Sequence, residues 1–293
     1  MANTRELRRR IKSVKSTAQI TKAMQMVAAT KMRRAQNQAL AGRPYIQNLG
    51  QALIKLLPKI NTMTHPFLSG NTSKKAGVVL LSTDKGLVGA LNTNLARIIL
   101  SSDLLSDTIY YTLGRRGRAF IVRTGKDLKA DFENPDVVSF KSAKQLSRML
   151  IDAFTEGEIG EAFIVYPNFI STLRQQAKII KLLPISLDEI LKTLEFLELE
   201  KKNETQTTTE FLFEPDPDVL LDFILLHHLE TRIYQALLET KACEHSARMM
   251  AMQNATDNAL ELVDDLKLTY NQTRQNAITT ELLEITTAQG VML

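Results

Sequence analysis

Seam positions recur in a 4-3-4-3 rhythm through the first 41 residues: Leu7, Ile11, Val14, Ala18, Thr21, Gln25, Ala28, Met32, Ala35 and Ala39. That spacing predicts a long helix with a coiled-coil seam. Ile20, Met24 and Val27 flank the seam and are expected to widen it. Its residues are small or flexible, so a partner helix can approach closely although the zipper is weak. Gly42, Arg43 and Pro44 predict a kink, after which the helix resumes to about Leu57. A second helix-like run covers residues 218–289, 72 positions without Gly or Pro. It opens strongly apolar, from Leu220 and Leu221 to Leu237 and Leu238, turns polar around Asn254–Asn258, and closes on Ile278, Leu282 and Ile285. As one helix it would be roughly 108 Å long at about 1.5 Å per residue. A helix of that length must pack along another helix or inside a partner. The N-terminal helix, running antiparallel, is the available mate.

Eleven of the twelve glycines and all eight prolines lie between Gly42 and Pro217, so the middle has a different character. Gly77–Leu81, Thr108–Leu113, Asp136–Phe140, Ala162–Tyr166 and Lys178–Leu183 read as five strands. Helices are expected over Asn92–Ser101, from about Arg115, and over Ala143–Phe154. Strands alternating with helices predict a mostly parallel, Rossmann-like sheet. Lys192–Thr209, rich in Glu, Lys and Thr, reads as a surface connection. The fold class is therefore α/β plus a long antiparallel two-helix coiled coil. Its parts are an N-terminal helix over 1–57, a central α/β domain over 70–209, and a C-terminal segment over 210–293 that pairs with 1–57.

Charge changes the picture at one end only. The chain carries a net +5, but residues 1–43 hold eleven basic residues and one acid, Glu6, for a net +10; the other 250 residues, with 26 basic and 31 acidic, carry −5. The basic segment must meet an acidic partner: nucleic acid, anionic lipid or an acidic protein surface. A single cysteine, Cys243, excludes an internal disulfide, a cysteine-based zinc cluster and a dithiol switch. No apolar run is long enough to span a bilayer, and the N-terminus has no apolar signal core.

Candidate chemistry is sparse. Ser82–Asn92 follows a strand and opens a helix, where phosphates bind. Yet Gly86 and Gly89 match neither the dinucleotide fingerprint nor a Walker A loop, and a strand-to-helix turn is the plainer reading. Gly114–Arg118 is a possible phosphate or RNA contact and, more simply, a solvated basic helix start. His227 and His228 point about 100° apart on a helix and make a poor metal pair, and Cys243 with His245 does no better. No cofactor or metal site is expected. Phe211 and Phe213 fall on one side of an extended segment that ends in Pro215 and Pro217. They serve either a core strand or an exposed contact. The basic segment lacks a nucleic-acid module, and Tyr45 is the first aromatic in the chain, so base stacking there is unsupported.

Several segments together resemble the gamma subunit of F-type ATP synthase: Ile20–Arg34 (ITKAMQMVAATKMRR), Asp84–Asn92 (DKGLVGALN), Phe213–Pro217 (FEPDP), Glu244–Asn258 (EHSARMMAMQNATDN) and Tyr270–Thr279 (YNQTRQNAIT). Order and spacing agree over essentially the whole chain. The resemblance implies a non-catalytic central rotor. Its terminal helices would form a shaft inside a ring of three alpha and three beta subunits, and its α/β domain a foot on the c ring beside the epsilon subunit. Ion flow would turn ring and shaft, driving ATP synthesis at the alpha/beta sites. By the same resemblance Met24 meets the lower beta domains, Arg274, Gln275 and Thr279 meet a beta catch loop with Glu281 nearby, and Phe211, Phe213 and Glu214 approach the c ring and epsilon. The basic N-terminal segment would face acidic loops of beta.

Departures from the family pattern are Val88 where many relatives carry Cys, Phe at 211 and 213 where Tyr is common, and the lack of the inserted cysteine pair of chloroplast relatives. One copy per complex is implied, peripheral on the membrane through the c ring. The missing leader points to the cytoplasmic face of a bacterial membrane rather than the mitochondrial inner membrane. The competing readings are a basic helical-hairpin scaffold for nucleic acid and, with an incomplete phosphate loop, a nucleotide-dependent α/β enzyme.

Overall fold

The computed structural model describes residues 4–56, 65–102, 107–185 and 217–291. The elements in chain order are α1 (Thr4–Leu56), α2 (Pro66–Ser69), β1 (Ala76–Leu81), α3 (Leu91–Ser101), β2 (Thr108–Leu113), α4 (Arg115–Arg123), β3 (Asp127–Phe132), α5 (Phe140–Thr155), β4 (Glu161–Phe169), β5 (Gln175–Leu183) and α6 (Pro217–Val291). The two terminal helices have 53 and 75 residues. Pro44 sits inside α1 without ending it, and the helix runs on past Gly42–Pro44 to Leu56, close to the expected end at about Leu57. Packing divides the chain into two units, Met1–Thr30 with Arg248–Leu293, and Lys31–Ala247.

The first unit is helical. On α1 every predicted seam position here is covered: Leu7, Ala18 and Ala28 are buried and Ile11, Val14, Thr21 and Gln25 half-buried. The facing seam on α6 runs Met252, Thr256, Ala259, Val263, Leu266, Tyr270 and Thr273, again spaced 4-3-4-3, with every member buried or half-buried. The hydroxyls of Thr21 and Thr256 meet across it at 2.7 Å. Two helices cover only a narrow line on each other. Ile20 and Val27, expected to widen the seam, are instead 58% exposed, and of the three flanking residues only Met24 is half-buried.

The second unit is built on a five-stranded sheet in the order β3-β2-β1-β4-β5. β1, β2, β3 and β4 are parallel and β5 pairs antiparallel to β4. Side chains of a strand alternate between faces, and β1 divides accordingly. Val79 and Leu81 enter a core with α5 and with Leu53, Leu221, Leu225 and Ile233 of the terminal helices. Val78 and Leu80 enter a second core with Leu95 and Ile99 of α3 and Ile121 of α4. Helices thus cover both faces of a Rossmann-like sheet.

One strand differs from expectation. The third strand is Asp127–Phe132, not Asp136–Phe140. β3 is an edge strand bearing Asp127, Lys129 and Asp131 on the more exposed positions, a charge pattern that protects an edge from unwanted pairing and hides it from a search for apolar runs. Val137 and Val138 look strand-like, but Ser139 caps α5 by accepting a hydrogen bond from the Ser142 amide at 3.3 Å, which makes the segment a helix entry.

Candidate functional site

In a sheet of this type ligands bind at the carboxyl ends of the strands where the order reverses, here between β1 and β4. The loop after β1 occupies that place, and its polar groups are committed to the fold. The Ser82 hydroxyl donates to the Leu113 and Gly114 carbonyls at 3.0 Å and accepts from the Gly117 amide at 2.8 Å. Asp84 accepts from the amides of Arg115 (2.9 Å) and Asn134 (3.3 Å). Asn92 closes the loop by donating to the Thr83 hydroxyl at 2.8 Å. Val88 and Leu91 turn inward against Cys243 and Ala247 of α6, with Phe169 of β4 beside them. The crevice that would take a nucleotide is therefore filled by the protein's own helix.

The Gly114–Arg118 segment also has a structural account. A Cβ on Gly114, whose φ is +102°, would lie 2.5 Å from the Ser82 carbonyl oxygen, and one on Gly117 would lie 2.7 Å from the Ser82 hydroxyl. Both glycines let α4 approach the end of β1. Arg118 pairs with Asp131 at 3.3 Å and Arg115 reaches Glu133 at 4.0 Å, so the basic helix start is matched by acids on and after β3.

The histidines and the cysteine are equally occupied. His65 Nδ1 accepts from the Phe67 amide and its Nε2 lies 2.8 Å from Asp222. His227 bridges the Tyr45 hydroxyl and Glu230 and stacks on Phe223. The Cys243 thiol donates to the Pro167 carbonyl at 3.2 Å, and burial, with the Glu239 carboxylate second, pushes it well above the ordinary thiol range. Among the described residues no group of three His, Cys, Asp or Glu could hold a metal ion.

His228 is buried, and that burial, with the Arg232 guanidinium adding to it, pulls its imidazole down to about 3. An unfolded histidine titrates near ~6.5. Between the two values the unfolded chain binds a proton that the folded chain refuses, so folding is undisturbed above ~6.5 and weakens as pH falls below it. By pH 5 this one group removes about 2 kcal/mol. His228→Gln should therefore shrink the loss of melting temperature between pH 7.5 and 5. An identical loss in both proteins would disprove the assignment.

The terminal helices carry the described site residues, and exposed apolar side chains lie beside them. On α1, Ile20, Met26 and Val27 are each 58–59% exposed around the half-buried Met24, among the basic residues Lys22, Arg33 and Arg34. On α6 the seam stops at Thr273, and every side chain described from Arg274 to Thr287 is exposed. Arg274, Gln275, Thr279 and Glu281 belong to this stretch, with the Thr279 hydroxyl donating back to the Gln275 carbonyl. Ile278, Leu282 and Ile285 form an apolar stripe along it, 48–57% exposed. Phe211, Phe213 and Glu214 lie outside the described residues. Met26 was not singled out by the sequence, because nothing in its spacing separates an outward methionine from a flanking seam residue.

The family model described as ATP synthase matches residues 3–290. A relative named ATP synthase gamma chain, from Opitutus terrae, is 42% identical over 291 residues, covering 99% of this chain and 98% of its own length. The chain belongs to the ATP synthase gamma chain family. The gamma chain of Methylacidiphilum infernorum is likewise 42% identical, over the full length of both proteins. Among solved structures, a chain of the Tetrahymena thermophila mitochondrial ATP synthase central stalk and c-ring matches with a TM-score of 0.59 and 26% identity, covering 80% of this chain and 99% of its own. A chain of the Euglena gracilis mitochondrial ATP synthase shares the fold, with a TM-score of 0.67 over 99% of this chain and 94% of its own. As a gamma chain the protein is a non-catalytic stalk subunit of the ATP synthase complex. That accounts for a Rossmann-like sheet whose ligand crevice is filled, and it leaves the basic N-terminal helix without need of a nucleic acid. No described helix is long and apolar enough to cross a membrane.

Proposed function

We propose that this gamma chain turns as the central shaft of an F-type ATP synthase, one copy in a ring of three alpha and three beta subunits. The N-terminal helix, 1–57, and the long helix within 210–293 act as the shaft, and the start of 210–293 is a foot segment. The α/β domain, 70–209, acts as the foot beside epsilon on the c ring, holding the chain peripherally at the cytoplasmic face of a bacterial membrane. Rotation of the c ring turns the shaft, and the shaft carries the beta sites through different nucleotide affinities. The observation that carries this reading is the end of α6, a helix whose apolar stripe is exposed among the described residues.

In this assignment Arg274, Gln275, Thr279 and Glu281 meet the beta catch loop, and Met24 with its exposed apolar neighbours meets the lower beta domains. The +10 of residues 1–43 faces acidic loops of beta, because a contact that must reform at three positions is better served by long-range charge than by close packing. Phe211, Phe213 and Glu214 approach the c ring and epsilon.

The test is to mix the chain with separately purified alpha and beta subunits of the same source and follow ATP hydrolysis. A stable complex and sustained hydrolysis only when the chain is present is the expected result. No complex, with salt-sensitive polyanion binding instead, would overturn it.

A further inference from the structure

Thr240–Ala247 of α6 are eight consecutive residues, and all eight are buried. At about 100° per residue they cover the helix on every side. A helix lying on a domain normally buries one stripe. The longest other buried run on the described part of α6 is four residues, His228–Thr231. The enclosed stretch is also polar, containing Lys241, Glu244, His245 and Ser246, so apolar burial alone does not explain it.

Its side chains are bonded to the α/β unit on opposite sides. Lys241 Nζ donates to the Asn134 carbonyl and to Glu244 Oε2, both at 3.3 Å. Asn134 in turn donates from its side chain to the Ser82 carbonyl at 2.7 Å, at the end of β1. Cys243 Sγ donates to the Pro167 carbonyl at 3.2 Å, and the Ser246 hydroxyl donates to the Thr172 carbonyl at 2.7 Å and accepts from Gln175 Nε2 at 3.3 Å. By helical spacing Cys243 and Ser246 project roughly 140–200° around the axis from Lys241. Lys31 of α1 reaches Asp136, two residues from Asn134, at 3.0 Å.

Apolar packing is non-directional and resists rotation of a helix about its own axis poorly. Hydrogen bonds weaken steeply when misaligned, and a buried ammonium cannot leave its partners without becoming an uncompensated charge. Directional bonds on opposite sides of an enclosed helix therefore act like keys in a socket. Ala247 is the last residue of the α/β unit before α6 passes into the helical unit.

We propose that Thr240–Ala247 is the torque grip of the rotor, where turning force passes from the sheet to α6, with Lys241, Cys243 and Ser246 as positioning residues. This rests on the rotor reading. The test uses the assembled alpha–beta–gamma complex with its ring fixed to a surface. A bead is attached through Val122→Cys on the exposed side of α4, and the angular spread of the bead during a catalytic pause gives the torsional stiffness. Lys241→Met with Cys243→Ala and Ser246→Ala is expected to lower the stiffness at least twofold while unloaded ATP hydrolysis stays within twofold. Lys267→Ala, which removes an exposed ion pair on the same helix, is expected to leave it unchanged. If the triple variant does not assemble, Lys241→Met and Ser246→Ala are measured singly, each with a smaller loss expected. Unchanged stiffness in variants that assemble and turn overturns the grip alone. A parent chain that neither assembles nor turns overturns the rotor reading, and the grip falls with it.

Discussion

Ile278→Asp, Leu282→Asp and Ile285→Asp together should leave the melting temperature of the chain within about 2 °C of the parent and weaken its assembly with alpha and beta subunits by about a hundredfold. The two halves of that expectation have separate causes. Stability is spared because these side chains stay exposed among the described residues, at 48%, 57% and 57%, and the seam has ended at Thr273. Assembly suffers because they lie at i, i+4 and i+7, one stripe on the helix. Moving half of each such side chain from water into a partner contributes about 1 kcal/mol, or about 3 kcal/mol for the stripe, and aspartate also carries three charges into an apolar contact. Sedimentation of the mixed subunits gives the affinity and circular dichroism gives the melting curve. Unchanged affinity would remove the bare end of α6 from the partner surface. A large fall in melting temperature would mean that the stripe is covered within the chain.

The parts of this protein that could be read from its sequence are those whose packing is periodic. The α1 seam was legible from its spacing, and within the helical unit its members from Leu7 to Ala28 are all buried or half-buried along one line of the helix. Its counterpart on α6 follows the same rhythm but is composed of Thr256, Ala259, Tyr270 and Thr273 as well as apolar residues, among exposed Asn254 and Asn258, and a reading by hydrophobicity passes over it. The four strands with buried apolar runs were legible, whereas β3 was concealed by its edge charges. The crevice between β1 and β4 shows a different limit. Gly86 and Gly89 suggested a phosphate loop, and only the fold reveals that Cys243 and Ala247, more than 150 residues away, take the ligand's place. The enclosed stretch at Thr240–Ala247 was equally opaque. Lysine, glutamate, histidine and serine on a helix ordinarily signal a solvated face, and it takes three separate loops closing around the helix to make them buried.

The smallness of the shaft seam leads to the second large expectation: Ala18→Leu combined with Ala28→Leu costs the helical unit about 4 kcal/mol. Ala18 is 4% exposed and Ala28 2%, so neither side has room for three more carbon atoms. Overpacking a close-packed site forces rotamers or backbones to shift, at about 2 kcal/mol for each position, and the two lie far enough apart on α1 for their effects to add. Sliding the helices to relieve the strain would also break the hydrogen bond between Thr21 and Thr256, which lies between the two alanine layers and contributes about 1 kcal/mol. The added leucines would be favourable if exposed, which makes the sign of the effect a direct test of the seam. Amide hydrogen exchange is the appropriate measurement, since the two units can be followed separately. Protection should fall in Leu7–Ala28 and Met252–Thr273 by about a hundredfold or more while the sheet of the α/β unit keeps its own. Unchanged protection in the helical unit would mean that Ala18 and Ala28 face water, and that the close approach of the two shaft helices is wrong.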